Sequence, residues 1–281
     1  MRRSPLFSNL STRIQRLQLT VSYEGTDFRG WAAQKGQRTV QSTLKNAVRQ
    51  VSGENCEIIG ASRTDGGAHA VGQCCHFDLE NRIPVDRWAY ALNRVLPDDL
   101  VVKKCQARSK RFHSRFSARD RWYRYRILIG DRDPMRARFC HWYWDEVDVD
   151  LMNNVAQNLV GSHDFRGFSE EMAPDSNTVR EVLSITVKRS GSEVHVDVLA
   201  QAFIRGMMRR ISGGLLEVGR GARDPNDIKG LLNVQQREKL QWPVVLPAKG
   251  LTLMRIRYGG RPWFGDEPKN DLEDRQEEID E

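Results

Sequence analysis

The chain has 281 residues, 39% of them hydrophobic and 8% aromatic, which is enough to bury the core of one large or two modest domains. No run of about 18 apolar residues occurs, so the sequence predicts no membrane-spanning helix. The formal charge is +7; residues 265–281 hold nine acids and two bases, and subtracting their −7 leaves +14 on residues 1–264. The strong positive charge of residues 1–264 favours a nucleic-acid partner, although charge alone also fits an ordinary basic protein.

The predicted elements of the first half alternate between strand and helix patterns. In chain order they are a strand at 17–23, a helix over 40–51 with Thr39 as its N-cap, strands at 56–62 and 72–79, a helix from Pro84 and a strand at 100–107. Their order is β-α-β-β-α-β, in which two helices cover one face of an antiparallel sheet.

The second half repeats this order. Its predicted elements are a strand at 121–129, a helix over 151–160, strands at 183–187 and 194–198, a helix at 204–218, a short helix at 226–233 and a strand at 251–258. The sequence therefore predicts an α+β fold of two ferredoxin-like halves, whose antiparallel sheets meet at a central cleft, the usual place for a binding site. The predicted domains are 17–110 and 111–264, between a basic arm at 1–16 and an acidic, disordered tail at 265–281.

The basic arm contains four arginines, three serines and no acid. This composition fits either a weak transit peptide or an arm that touches RNA or nothing. The five cysteines include no CxxC pair, and Cys74, Cys75 and His76 alternate along a predicted strand, so they cannot converge on one zinc ion. The cysteines therefore predict reduced, mostly buried thiols, no metal site and a reducing compartment.

The turn between the strands at 56–62 and 72–79 combines a base, an acid and glycines. Asp65 follows Arg63 by two residues, and Gly66 and Gly67 come next. A neighbouring guanidinium favours an ionised carboxylate that can act as a nucleophile or base, and glycines allow a ligand to approach the backbone. Taken alone, the stretch also fits a surface Asx turn with an incidental ion pair.

Two further stretches favour contact with RNA. Residues 108–126 hold eight Lys or Arg and one acid, interleaved with aromatic residues. Cations of this kind hold phosphates and aromatic rings stack on unpaired bases, and Tyr123 and Tyr125 lie on the same side of the strand. Arg205 and Arg209 are four apart at the start of the helix at 204–218, where they suit a phosphate, although a solvated basic face is the alternative. No GxxxxGK[ST] or GxGxxG motif occurs, and no acid–histidine cluster suggests a two-metal nuclease.

Read together, these stretches resemble the TruA family of tRNA pseudouridine synthases, whose signature around its aspartate is G-R-T-D-A-G-V-H. This chain has SRTDGGAH at 62–69. The other matching stretches, in family order, are YEGTDFRGW (23–31), FHSRFSA (112–118), RWYRYRI (121–127), HDFRGFS (163–169), AFIRGMMRR (202–210), LLEVGRG (215–221) and PAKGL (247–251). Ser62, Gly66 and Ala68 depart from the usual Gly, Ala and Val, and none of these changes removes a charged group.

The resemblance implies that Asp65 is the catalytic aspartate and that Tyr123 packs on the target base and assists proton transfer. It implies that Arg63 and Arg209 orient the aspartate and help to open the RNA, and we add Arg205 and His69 as candidates for substrate binding. The implied reaction converts uridine to pseudouridine at positions 38 to 40 of the tRNA anticodon stem-loop, without cofactor or metal.

The resemblance also implies a homodimer, which we expect in the cytoplasm, with an organelle left open by the N-terminal arm. Two alternatives come from other functional classes. An RNA-binding protein or chaperone without activity would keep the cations and aromatics but would not need Asp65. A metal-dependent nuclease would cleave RNA in a chelator-sensitive way, and the sequence shows no ligand set for it.

Overall fold

The computed structural model describes residues 14–80, 83–170, 173 and 175–259. The acidic tail lies outside the described residues, as does the basic arm up to residue 13. The elements of the first half are β1 (Gln15–Tyr23), α1 (Val40–Ser52), β2 (Ile59–Gly60), β3 (His69–Leu79), α2 (Trp88–Asn93) and β4 (Leu100–Arg108). Those of the second half are β5 (Ala118–Ile129), β6 (His141–Tyr143), α3 (Val149–Ala156), β7 (Gly161–Asp164), β8 (Val179–Ser190), β9 (Glu193–Ala200), α4 (Met207–Gly219), α5 (Pro225–Gly230), α6 (Val234–Arg237) and β10 (Leu251–Tyr258).

The strands form one ten-stranded sheet in the order β4-β1-β3-β10-β5-β9-β8-β7, with β2 paired to β3 and β6 paired to β5. The pairings are antiparallel except for β10 with β3 and β5 with β6. This confirms the α+β class. The two predicted sheets are instead continuous, because β10 adds to β3 with Thr252 opposite His69. The seam between the halves therefore lies where β3 begins, directly after the turn that carries Asp65.

Local signals explain where several elements begin. Thr39 caps α1 as predicted, in a capping box with Ser42. Gly206 has φ +76°, which no helical residue adopts, so α4 starts at Met207 and not at residue 204. Arg205 consequently lies before the helix, and the prediction that it shares a helix face with Arg209 is wrong.

The core lies against the sheet and extends through both halves. Its largest fully buried side chains include Phe28, Phe77, Trp88, Tyr125 and Phe165. The apolar residues that predicted β1, α1 and α4 are buried as the periodicity required, except Val51 near the end of α1, which is half-buried. All five cysteines are free thiols, and Cys105 alone of them is only half-buried. Within the described residues no helix has the length and apolar character needed to cross a bilayer.

Candidate active site

Asp65 lies in a tight turn that leads into β3. The Ala68 N–H donates to the Asp65 carbonyl at 3.1 Å, and Gly67 adopts φ +82°, a conformation that suits glycine. The Asp65 side chain is 25% exposed, so its carboxylate is reachable from outside while its backbone is held. The turn thus presents one carboxylate at the seam between the two halves of the sheet.

The segment 23–31 forms a platform beneath this turn. The hydroxyls of Tyr23 and Thr64 lie 2.7 Å apart in a buried hydrogen bond. The Trp31 N–H donates to the Thr64 carbonyl at 3.1 Å, and the Gly67 N–H donates to the Phe28 carbonyl at 3.2 Å. These bonds satisfy backbone groups on both sides and leave the turn little freedom to move.

Gly25 is the point at which the platform approaches the turn most closely. A Cβ atom at position 25 would lie 1.9 Å from the Ala68 carbonyl oxygen, a backbone atom that cannot move aside. At Gly66, inside the turn, a Cβ would meet nothing nearer than 3.6 Å, which is ordinary contact. The turn therefore tolerates a methyl group at Gly66 but not beneath it at Gly25.

We expect Gly25→Ala to lower the free energy of unfolding by about 2 kcal/mol through overpacking. It should also lower kcat about 10²-fold, because displacing the turn misplaces Asp65. Gly66→Ala is the matched control and should stay near wild type in both respects. Urea unfolding and initial rates of tRNA modification measure the two effects, and equal losses in both variants would contradict the platform role.

His69 holds the base of the turn. Its side chain is 4% exposed, and its Nδ1 accepts the Gly25 N–H at 2.9 Å. Its Nε2 lies 2.9 Å from the Arg138 carbonyl and 3.1 Å from the Lys249 carbonyl, so Nε2 carries the proton and the ring is neutral. Burial lowers the pKa of His69, in agreement with a neutral ring. Both ring nitrogens bond to backbone, so His69 supports the turn and does not reach a substrate.

Arg209 is the arginine that holds Asp65. Its Nη1 lies 3.1 Å from Asp65 Oδ2, and its Nε donates to the Leu246 carbonyl at 2.6 Å. Arg63 is exposed and has no hydrogen bond or ion pair with any described residue. The expectation that Arg63 pairs with Asp65 is therefore not met in this structure, and its guanidinium is open to a phosphate.

Arg205 and Glu170 extend this charged network. Arg205 Nε lies 2.6 Å from Glu170 Oε2, and Arg209 Nη1 lies 3.7 Å from Glu170 Oε1. Arg205 is 76% exposed and Glu170 is 29% exposed, so Arg205 is the outermost member of the network. Glu170 belongs to no periodic pattern and lies 105 residues from Asp65 along the chain, so no local signal in the sequence predicted its place in this network.

Tyr123 lies beside the turn. Its hydroxyl is 2.7 Å from the Ser62 hydroxyl, and its ring packs edge-on against Phe203 with centroids 4.8 Å apart. Burial raises the pKa of Tyr123 to about 12, so its phenol is protonated at neutral pH. Tyr123 and Tyr125 share the buried side of β5, as predicted.

Arg121 also occupies the buried side of β5 and ties three segments together. Its guanidinium donates to the Arg115 carbonyl at 2.8 Å, to the Ala61 carbonyl at 3.4 Å and to the Gln201 carbonyl. Burial lowers the pKa of Arg121, and the Arg115 charge acts in the same direction. The alternation that placed Tyr123 and Tyr125 together was the available signal for Arg121, which precedes Tyr123 by two residues.

The cations of residues 108–126 divide into two groups. Arg124 pairs with Asp197, Arg126 pairs with Glu193 and Arg108 donates to the Gln18 side chain at 2.7 Å, so together with the buried Arg121 they serve the fold. Four cations are exposed, namely Lys110, Arg111, Arg115 and Arg119. The surface segment 109–119 that carries them, called the basic loop below, is where contact with a polyanion remains available.

The basic loop also presents an aromatic ring. Phe116 is 78% exposed and stacks on His113 with centroids 4.4 Å apart. The Arg115 guanidinium lies 5.7 Å from the Phe116 ring. The pKa of Arg180 is lowered mainly by burial and, to a smaller extent, by the positive charge of Arg115. The buried Nε of Arg180 has no hydrogen-bond partner among the described residues. An exposed ring beside the Arg115 guanidinium suits both the bases and the phosphates of RNA.

A family model described as tRNA pseudouridine synthase matches residues 19–117 and 155–259. The chain belongs to this family. It is 39% identical to tRNA pseudouridine synthase A of Brevibacillus brevis over 249 residues, covering 87% of this chain and 100% of that relative. It is also similar to the proteins of that name from Nostoc sp., at 35% identity over 94% of this chain and 95% of the relative, and Lactobacillus delbrueckii, at 37% over 86% and 94%.

Membership confirms the family that the motifs predicted and supports tRNA pseudouridine synthase activity, hence an enzyme that acts on tRNA. In this member of the family, three of the motif stretches meet at the turn that carries Asp65: the platform carries YEGTDFRGW, β5 carries Tyr123, and α4 carries Arg209. Among the described residues, no group of three or more His, Cys, Asp and Glu side chains is placed to hold a metal ion.

The buried histidine His76 makes the fold sensitive to acid. Its side chain is 2% exposed and its Nδ1 accepts the Ser114 N–H at 3.1 Å. Burial, with help from the Arg16 charge, lowers the pKa of His76 from 6.5 to about 4. Below pH 6.5 His76 binds a proton in the unfolded chain, whereas in the folded chain it binds one only near pH 4. The free energy of unfolding therefore falls as the pH falls through this range.

From that shift we expect His76 alone to lower the free energy of unfolding by about 2 kcal/mol between pH 7.5 and pH 5. His69 and His141, whose pKa values burial also lowers, act in the same direction. Urea unfolding at both pH values measures the loss, and His76→Gln should show a shallower pH dependence than wild type. Identical pH dependence in the two proteins would refute this assignment.

Proposed function

We propose that the protein isomerises uridine to pseudouridine at positions 38 to 40 of the tRNA anticodon stem-loop, with Asp65 as the nucleophile and no cofactor or metal. The observation that supports this most is the setting of Asp65. Its carboxylate is partly exposed in a rigid turn, ion-paired to Arg209 and adjacent to the loop that contacts Tyr123. A partly exposed carboxylate that is oriented by a guanidinium can act as a nucleophile toward a nucleotide brought to the turn.

The reaction rearranges one nucleotide and balances without a co-reactant. The Asp65 carboxylate attacks C1′ of the target ribose and forms an ester bond to it, as the glycosidic bond from C1′ to N1 breaks and its electron pair leaves with the uracil. The uracil turns and rejoins the ribose through C5, which releases the aspartate. A proton then leaves C5 and a proton is placed on N1, which restores the aromatic ring. Tyr123 serves as a packing surface for the base. Because its phenol is protonated at neutral pH, it also serves as a hydrogen-bond donor.

The target uridine has to leave its stem before Asp65 can reach it. Arg63 is exposed beside the turn and is suited to the phosphate next to the extruded nucleotide. The basic loop and Arg205 supply further cations for the RNA backbone, so binding should weaken steeply with salt. His69 contributes by supporting the turn, and Arg209 contributes by orienting Asp65.

We also propose that residues 17–110 and 111–264 are two ferredoxin-like halves, an architecture that suits the binding of tRNA between them. The first half runs β-α-β-β-α-β, the second half has that order once the short elements β6, β7, α5 and α6 are set aside, and Asp65 and Tyr123 come from different halves. RNA would then lie along a cleft at the seam, with the basic loop on one wall. We further propose that the enzyme works as a homodimer in the cytoplasm, with one tRNA contacting both subunits.

The position of modification can be tested with tRNA transcripts in which uridines 38, 39 and 40 are replaced by cytidine one at a time. After incubation with the protein, nuclease digestion and mass spectrometry locate pseudouridine. Each replacement should remove modification at its own position only. Pseudouridine elsewhere in the tRNA, with these positions unmodified, would overturn the assignment.

A further inference from the structure

Glu170 is a second carboxylate in the network around Asp65. One guanidinium nitrogen, Arg209 Nη1, lies 3.1 Å from Asp65 and 3.7 Å from Glu170. The other carboxylate oxygen of Glu170 is 2.6 Å from Arg205 Nε. Glu170 is thus held tightly by Arg205 and loosely by Arg209, whereas Asp65 has the closer contact with Arg209.

The backbone is shaped for this arrangement. The Glu170 N–H donates to the Arg205 carbonyl at 3.0 Å. Gly206 adopts φ +76°, and a Cβ atom there would lie 2.8 Å from Glu170 Cγ. A side chain at position 206 would push Glu170 away from both arginines. The placement of Glu170 is therefore built into the connection that precedes α4, and is more than a chance encounter of two surface side chains.

An incoming polyanion meets this network at Arg205, because Arg205 is 76% exposed and the other three side chains are at most 29% exposed. A phosphate on Arg205 competes with Glu170 for the same guanidinium. Once it loses Arg205, the Glu170 carboxylate has Arg209 as its nearest described cation. Arg209 is then shared more evenly, and Asp65 loses part of its counter-charge.

We propose that Glu170 is a positioning residue that couples the seating of an RNA phosphate at Arg205 to partial release of Asp65 from Arg209. Asp65 is held firmly in the free enzyme and becomes a freer nucleophile when RNA is bound. The inference rests on the proposed function, because it assigns Glu170 to the same reaction. It also means that Glu170 weakens RNA binding somewhat, since it occupies a cation that a phosphate needs.

The test compares Glu170→Gln with Glu170→Asp and with Glu146→Gln. Glu146 forms a two-bonded ion pair with Arg189 at the far end of β8, and so is a matched control. Glu170→Gln should lower kcat about fivefold while KM stays the same or falls. Glu170→Asp keeps the charge and should recover at least half of the lost rate, and Glu146→Gln should behave as wild type.

Several outcomes would overturn the inference. In Glu170→Gln, an unchanged kcat would show that Glu170 does not act on Asp65, and a raised KM with unchanged kcat would make it a simple RNA contact. Equal losses of thermal stability, kcat and RNA affinity in the Gln and Asp variants would make its role structural. If wild-type protein formed no pseudouridine, the proposed function would fail instead. The affinity of Glu170→Gln for tRNA, which requires no turnover, would then decide the inference: weakened binding would refute it.

Discussion

Replacing Asp65 by asparagine should abolish pseudouridine formation and leave the fold and the tRNA affinity close to wild type. Asparagine has nearly the same shape, and its carbonyl oxygen can still accept a hydrogen bond from Arg209. The amide is not a nucleophile, however, so the step that breaks the glycosidic bond loses its attacking group. We expect the single-turnover rate to fall at least about 10⁴-fold.

The rate is measured as pseudouridine per tRNA by mass spectrometry, and binding is measured separately by filter retention of labelled tRNA. Asp197→Asn provides the control, because Asp197 is also a partly buried carboxylate paired with an arginine. That arginine, Arg124, lies on the opposite side of β5 from Tyr123. That variant should keep wild-type activity. If Asp65→Asn retained a rate within tenfold of wild type, another group would have to be the nucleophile.

Replacing Arg209 by methionine should have the second-largest effect on catalysis. Methionine keeps the apolar stem but removes the contacts to Asp65 and to the Leu246 carbonyl. Asp65 would then be free to rotate, and it would lack the guanidinium that orients it. Loss of one oriented donor at an active site typically costs 10²- to 10³-fold, and we expect kcat to fall by about 10²-fold.

The control for Arg209 is Arg189→Met, which removes an arginine from the remote ion pair with Glu146. It should leave kcat unchanged. Steady-state kinetics on tRNA separate the two contributions, because an orienting role lowers kcat whereas a role limited to holding phosphate raises KM. A raised KM at wild-type kcat in Arg209→Met would contradict the orienting role.

Local periodicity accounts for what the sequence predicted well. The stretch LTLMRIRY at 251–258 predicted β10 at its observed bounds, and alternation in β5 predicted that Tyr123 and Tyr125 share a side. β6 and β7, with three and four residues, were missed because they are too short for a pattern to register. The continuous sheet was missed because the pairing of β10 with β3 joins residues about 180 positions apart.

The site was predicted only in part, for a related reason. Asp65 and Tyr123 stand out in local motifs, and the arginine nearest to Asp65 in sequence is Arg63. The arginine that holds Asp65 is Arg209, 144 residues away on an element from the other half. No local pattern pairs it with Asp65, and only the family resemblance predicted that it orients the aspartate. Glu170 carries no local signal at all, because its importance depends on a distance to Arg209 that only the folded chain establishes.

The most direct test of the central claim uses tRNA labelled with tritium at C5 of its uridines. Since the proposed reaction joins C5 to the ribose and expels its hydrogen, wild-type protein should release one tritium for each pseudouridine formed, with the same time course and without added cofactor. Binding of the tRNA with no release of tritium from any tRNA would show that the protein holds RNA but does not carry out this isomerisation.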